Sequence, residues 1–189
     1  RLDYSKGIPE RLQAFATALS TYPELRERLS LLQIVVPSRE SIDAYQQLKN
    51  EIESLVGSIN GTWSTPEWTP VQYMHRSLPR EELLKAYQRA DMALITPLRD
   101  GMNLVAKEYC AAQNEGNGVL ILSEFAGAAI QLKESALLVN PFDLDDIAAS
   151  IHKAFHMPYP ERSSRMEQAR QNIRQEDVHW WLDRYLQAA

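Results

Sequence analysis

Residues 97–109 read Pro97-Leu98-Arg99-Asp100-Gly101-Met102-Asn103-Leu104-Val105-Ala106-Lys107-Glu108-Tyr109, directly after the short apolar run Met92 to Thr96. An apolar strand that passes through a polar, glycine-containing turn into a helix is the repeating unit of a parallel α/β sheet. At the carboxyl end of such a strand the next helix directs its free N–H groups and positive dipole end outward, which favours anions there. Gly101 lets a ligand approach the backbone closely, and Asp100 can accept hydrogen bonds from hydroxyls. Glu108, about two turns into the helix, can reach past a phosphate toward a sugar ring. The same spacing also fits a plain structural role, in which Asp100 caps the helix, Gly101 makes the turn and Glu108 is solvated.

The alternation extends in both directions. Toward the N-terminus, Leu31 to Val36 is a branched apolar strand stopped by Pro37, and Ser41 to Ile59 carries apolar residues near helical spacing. Gly61 to Pro70 reads as an irregular loop, with Trp63 and Trp68 either anchoring it to the core or stacking on a sugar or base. Val71 to Met74 is a strand, and Pro79 opens a helix with acids in its first turn. Toward the C-terminus, Val119 to Ser123 and Leu137 to Val139 are strands, and helices begin near Asp143, Pro160 and Val178. The expected fold is α/β, a Rossmann-like parallel sheet with helices on both faces.

A chain of 189 residues with 44% hydrophobic residues suits one domain with a substantial core. The net charge of −5 argues against a nucleic-acid surface. No apolar run approaches the roughly 18 residues that span a bilayer, and no signal peptide is recognisable, so the expectation is a soluble, cytoplasmic chain without a membrane partner. Cys110, the single cysteine, excludes an internal disulfide and a cysteine-based metal site, and reads as a buried filler.

The chain opens with Arg1-Leu2-Asp3-Tyr4-Ser5-Lys6-Gly7, a loop entering the helix Pro9 to Ser20. Arg1 and Lys6 could grip one diphosphate, or both could be ordinary solvated cations. Hydrolytic and metal chemistry find little support. His75, His152, His156 and His179 are scattered; His152 and His156 stand four apart on one helix but lack an accompanying glutamate pattern, and read as surface residues. There is no Gly-x-Ser-x-Gly elbow and no Walker lysine loop. Arg1, Lys6, Arg39, Asp100, the amides after Gly101, and Glu108 together look like a nucleotide-sugar pocket.

Four motifs carry a family resemblance: Arg1 to Gly7, Pro97 to Tyr109, Ser123-Glu124-Phe125-Ala126-Gly127 and Val139-Asn140-Pro141. They resemble the trehalose-6-phosphate synthase family, family 20 of the retaining glycosyltransferases, over essentially the whole chain. The resemblance implies the GT-B architecture, with residues 1–189 as the C-terminal, donor-binding domain. It implies transfer of glucose from UDP-glucose to glucose 6-phosphate, giving α,α-trehalose 6-phosphate and UDP, without a cofactor or required metal. It makes Arg1 and Lys6 the catalytic ligands of the diphosphate. Asp100 and the amides of Gly101, Met102 and Asn103 are assigned to the glucosyl hydroxyls, the amides of Leu104 and Val105 to the phosphate end, and Glu108 to the ribose. The uracil pocket is expected around Leu78 to Leu83, where many members carry an aromatic residue at the position of Leu78, so the choice of UDP over ADP or GDP stays open. Arg39 is assigned to the acceptor phosphate. No protein nucleophile is expected, the donor phosphate helping to deprotonate the acceptor hydroxyl.

The same resemblance implies that an N-terminal acceptor domain, with its glycine-rich phosphate loop, and a strand before Arg1 lie outside this chain. The isolated chain is then expected to bind UDP or UDP-glucose weakly and not to turn over. The terminal helix, 178–189, with Trp180 and Trp181, either docks on that domain or folds onto this one. A homo-oligomer is left open. Two alternatives remain: a glucosylglycerol-phosphate synthase using a related donor, and a noncatalytic sugar-nucleotide-binding regulatory domain.

Overall fold

The structure, a computed structural model, describes residues 1–39 and 41–188, with the side chains of Trp181 and Ala188 left aside. Five short strands alternate with helices: β1 (Leu31–Ile34), β2 (Val71–Met74), β3 (Met92–Ile95), β4 (Val119–Ser123) and β5 (Leu137–Val139). The helices are α1 (Ile8–Thr21), α2 (Asp43–Trp63), α3 (Arg80–Arg89), α4 (Leu104–Ala112), α5 (Ala128–Leu132), α6 (Leu144–His156), α7 (Tyr159–Gln175) and α8 (Val178–Ala188). All strand pairings are parallel: β1 with β2, and β3–β4–β5 in that order. The expected sheet is thus built in two hydrogen-bonded parts.

Strand β4 explains why both faces are covered. Its five residues are all buried, and because successive side chains alternate, Val119 and Ile121 enter one core while Leu120 and Leu122 enter the other. The first core draws on α1, α2 and α6, including Leu12, Phe15, Ile52 and Ile147. The second is made with α4, α5 and α7 through Ala106, Tyr109, Cys110, Leu132 and Met166. Cys110 is fully buried, and burial pushes its thiol up to about 12, so it is the inert filler the sequence implies.

The strands and helices otherwise lie close to their expected bounds, with one clear correction. Helix α2 continues through Gly61 to Trp63, where the sequence reading begins a loop. A Cβ at Gly57 or Gly61 would meet nothing within 4 Å, so the cost of each glycine is only its propensity, about 1 kcal/mol. Burial of Ile52, Val56 and Ile59 on the other side of the helix outweighs it. Trp63 and Trp68 pack against the first core, and Trp68 Nε1 donates to Ser30 Oγ at 3.0 Å, which favours anchoring over sugar stacking. On α8, Val178, Leu182, Tyr185 and Leu186 are exposed, and Trp180 is partly so; the side chain of Trp181 lies outside the described residues. No described helix is long and apolar enough to cross a membrane.

Candidate functional site

The opening loop is shaped by Asp3, whose Oδ1 accepts from the Ser5 amide at 2.9 Å and from Ser5 Oγ at 2.7 Å, capping a single 3-10 turn, Tyr4–Lys6. Burial alone would raise the Asp3 carboxyl, but the two Ser5 bonds, with Lys6 and Arg39 nearby, hold it below its ordinary value. Gly7 then turns the chain into α1 with φ of +60°, and a Cβ there would strike the Thr96 carbonyl oxygen. Only glycine satisfies both demands. The Ser5 carbonyl accepts from the amides of Leu98 and Arg99 at 2.9 and 3.3 Å, so the opening loop is stitched to the turn that leaves β3.

That stitching brings Lys6 Nζ to 2.8 Å from Asp100 Oδ2, with side chains 26% and 18% exposed. Arg11, one turn into α1, supports it from beneath. Its guanidinium donates to the Lys6 carbonyl at 3.0 Å, to Thr96 Oγ1 at 3.2 Å and to Gln33 Oε1 at 3.3 Å. Gln33 lies in β1 and Thr96 just after β3, so Arg11 ties the two parts of the sheet to each other and to the loop. Burial lowers the Arg11 pKa to about 10, opposed by Glu10, and it stays a cation at neutral pH. Sequence reading did not single out Arg11; a charge inside an apolar helix face was the available signal.

Asp100 does not cap α4. Asn103 does, with φ of +68° and its Oδ1 accepting from the Ala106 amide at 3.1 Å, while its Nδ2 donates to Asp100 Oδ2 at 3.1 Å. Asp100 is therefore held by a cation and an amide at once. Among the described residues, the amides of Leu104 and Val105 at the start of α4 have no acceptor. The turn is buttressed by 123–128: Asp100 N–H donates to the Phe125 carbonyl at 3.2 Å, Gly127 N–H to the Asp100 carbonyl at 3.0 Å, and Ala128 N–H to the Met102 carbonyl at 2.7 Å. A Cβ at Gly127 would collide with the Gly101 carbonyl, whereas one at Gly101 would point into open space. Gly127 is thus required by packing, and Gly101 leaves room outside the protein surface.

The remaining predicted residues lie around this cluster at different removes. Arg1 is exposed at the head of the loop, which is tied down by Leu2 N–H to the Val36 carbonyl at 2.8 Å. Arg39, with φ of +51°, folds back so that its guanidinium donates to Tyr45 Oη at 2.9 Å and lies over that ring. Glu108 is exposed on α4 and accepts from Tyr87 Oη of α3 at 3.3 Å; burial, with Glu108 adding to it, pushes the Tyr87 phenol up to about 12. Leu78 and Leu83 are half-buried at the β2-to-α3 turn and on α3. Lys6 and Asn103 both meet Asp100 Oδ2; among the described residues no hydrogen bond or ion pair joins Arg1, Arg39, Glu108, Leu78 or Leu83 to them. Hollows of about 250 and 510 Å³ lie elsewhere, the first beside Leu2, Tyr45 and Lys49 and the second beside Arg89, Asp91 and Asn114.

The clasped Lys6 and Asp100 thus sit beside the amino end of α4, past the carboxyl end of a parallel strand, the place where α/β folds collect anionic ligands. Residues 1–189 match the model of glycosyltransferase family 20 along their whole length. The chain belongs to glycosyltransferase family 20. Among family relatives, it is 49% identical over 187 residues to the trehalose-6-phosphate synthase of Sodalis glossinidius (strain morsitans), and 47% identical over 187 residues to that of Cronobacter sakazakii. These alignments take in 98% of this chain but 40% and 39% of the relatives. The chain therefore spans about two fifths of the family proteins it matches. Its fold matches a UDP-forming α,α-trehalose-phosphate synthase of Burkholderia xenovorans in complex with glucose-6-phosphate, with a TM-score of 0.95 and 42% identity, covering all of this chain and 41% of the other. An E. coli structure with UDP-2-fluoro glucose bound gives a TM-score of 0.95 at 43% identity, covering 100% of this chain and 42% of that one. The α/β fold of this chain is thus that of family 20 structures.

Of the two histidines read as surface residues without an accompanying glutamate pattern, His156 is exposed and His152 half-buried, and a carboxylate distant in sequence reaches both. Their rings pack edge-on with centroids 4.6 Å apart, and Glu24, from the turn after α1, brings Oε1 to 2.9 Å from His152 Nε2 and 3.9 Å from His156 Nε2.

Proposed function

We propose that this chain is the donor-binding domain of a retaining glucosyltransferase that moves glucose from UDP-glucose to glucose 6-phosphate, releasing UDP and α,α-trehalose 6-phosphate. The observation that carries the reading is the Lys6–Asp100 pair at the open amino end of α4, in a chain of family 20. The names of the relatives supply the reaction, and the ligands of the two solved structures, a fluorinated UDP-glucose and glucose 6-phosphate, are those this reading requires.

In this reading Lys6 and Arg1 bind the donor diphosphate, and the free amides of Leu104 and Val105 add the helix dipole to them. Asp100 and the amides of Gly101, Met102 and Asn103 orient the glucosyl hydroxyls, with Glu108 on the ribose and Leu78 to Leu83 beside the base. Arg39 faces the acceptor phosphate. Negative charge grows on the diphosphate as the glycosidic bond breaks, so cations placed in advance stabilise the transition state more than the ground state. A donor phosphate oxygen takes the proton of the attacking hydroxyl on the same face, and the configuration is retained. No metal or cofactor takes part, and a second, N-terminal domain supplies most of the acceptor contacts, with α8 docking against it.

The test is a product assay on the whole protein that carries this chain. UDP-glucose with glucose 6-phosphate should yield the α,α-linked disaccharide phosphate with chelator present. Preference for glycerol 3-phosphate as acceptor would replace the reaction, and tight donor binding without turnover would make the chain a regulatory domain.

A further inference from the structure

At the far end of α1 from Lys6, a 3-10 turn, Pro23–Leu25, presents Glu24 to the side of α6. His152 Nε2 lies 2.9 Å and His156 Nε2 3.9 Å from the same oxygen, Glu24 Oε1, and the three potential ligand atoms all lie within 4.8 Å of one another. His152 and His156 are one helical turn apart, so both imidazoles project from one side of α6. In a tetrahedral zinc site with bonds of about 2.0–2.2 Å, ligand atoms stand roughly 3.3–3.5 Å apart, within the span seen here.

The three side chains are also held before any ion arrives. Pro23 restricts the turn, and Leu25, fully buried, pins it to the core on the other side of Glu24. The His152 ring stacks on Tyr22 with centroids 4.1 Å apart and planes 16° apart, and the His156 ring packs edge-on to Phe155 at 5.1 Å. Aromatic packing on both rings limits their rotation, so an ion would order little that is not already ordered. Two imidazoles and one carboxylate are borderline donors suited to zinc, and partial exposure leaves a fourth position for water.

We propose that Glu24, His152 and His156 form a binding site for one divalent transition ion of the zinc class. Helix α1 has 14 residues and rises about 1.5 Å per residue, so the site lies roughly 20 Å from Lys6 and outside the chemistry of sugar transfer. The ion clips the turn after α1 to α6 and stabilises the packing of those two helices, by the linkage between binding and folding.

Titration of the whole protein that carries this chain with Co2+, followed by its visible absorption and by Tm, tests the site. One saturable Co2+ should bind, be displaced by Zn2+, and raise Tm. His156→Ala and Glu24→Gln, at exposed positions, should each weaken it by roughly tenfold or more while the metal-free Tm holds. His179→Ala, on α8, should leave it unchanged. The proposal is overturned if no saturable site is seen, if both variants bind as the parent does, or if His179→Ala abolishes binding.

Discussion

Lys6 Nζ and Asp100 Oδ2 stand 2.8 Å apart although 94 residues separate them in the chain. The carboxylate neutralises the cation that the proposed diphosphate would engage. Both side chains are partly exposed, so the pair contributes on the order of 1 kcal/mol to stability. Its larger consequence is positional, since each partner fixes where the other points.

Lys6→Ala should therefore lower turnover by about 100- to 1,000-fold in the whole enzyme, the size typical of losing one preorganised charge. Asp100→Asn keeps the side-chain shape and should weaken UDP-glucose by roughly tenfold while sparing UDP, since only the sugar nucleotide uses its hydroxyl contacts. Steady-state kinetics and calorimetry with both ligands report these; near-parental turnover in Lys6→Ala removes the assignment.

Gly101 and Gly127 separate binding from folding. Gly127→Ala drives a methyl group into the Gly101 carbonyl and should cost about 1–3 kcal/mol of stability. Gly101→Ala meets no protein atom, so stability should stay within about 0.5 kcal/mol while UDP-glucose binding falls. Denaturant melts paired with calorimetry would distinguish the two; an equal loss of stability in both contradicts the open space outside Gly101.

Arg11→Met retains most of the side-chain volume but leaves Thr96 Oγ1, Gln33 Oε1 and the Lys6 carbonyl without their donor. A loss of about 2–4 kcal/mol is expected. Arg11→Lys should recover only part of it, because an ammonium cannot span three acceptors in one plane. Equal stability of parent and Arg11→Met in urea would refute the role of Arg11 as the tie between β1, β3 and the opening loop.

Asp3 gives a signed pH dependence. Its folded pKa is below the unfolded one, so the unfolded chain binds more protons in the interval between them. The stabilisation is complete above about pH 4 and is lost as pH falls through the folded value. Asp3→Asn should flatten that part of the acid limb measured by Tm, and an unaltered limb would show that the Ser5 bonds do not favour the ionised form.

The elements of the fold were largely legible because each announces itself within a few residues. Apolar runs of four or five marked β1 to β5, and the period of α2 and α6 marked their buried faces. Reading failed where a local signal was outweighed from outside: Gly61 looked like the start of a loop, yet Ile52, Val56 and Ile59 carry the helix past it. In the candidate site Asp100 and Gly101 were legible from their place after a strand. Asn103 was read for its amide alone, and its side chain as the cap was not, because Asp, Asn and Gly at neighbouring positions all suit a helix start.

The amino-acid sequence by itself determined the order of strands and helices and the family to which the chain belongs, since these rest on spacing and motifs along one strand of text. The tertiary structure alone decided that Lys6 pairs with Asp100, that Arg11 joins Gln33 to Thr96, and that Glu24 meets both His152 and His156. Such pairings depend on how packed elements are rotated and set against one another, and the periodicity within any one element carries no information about that.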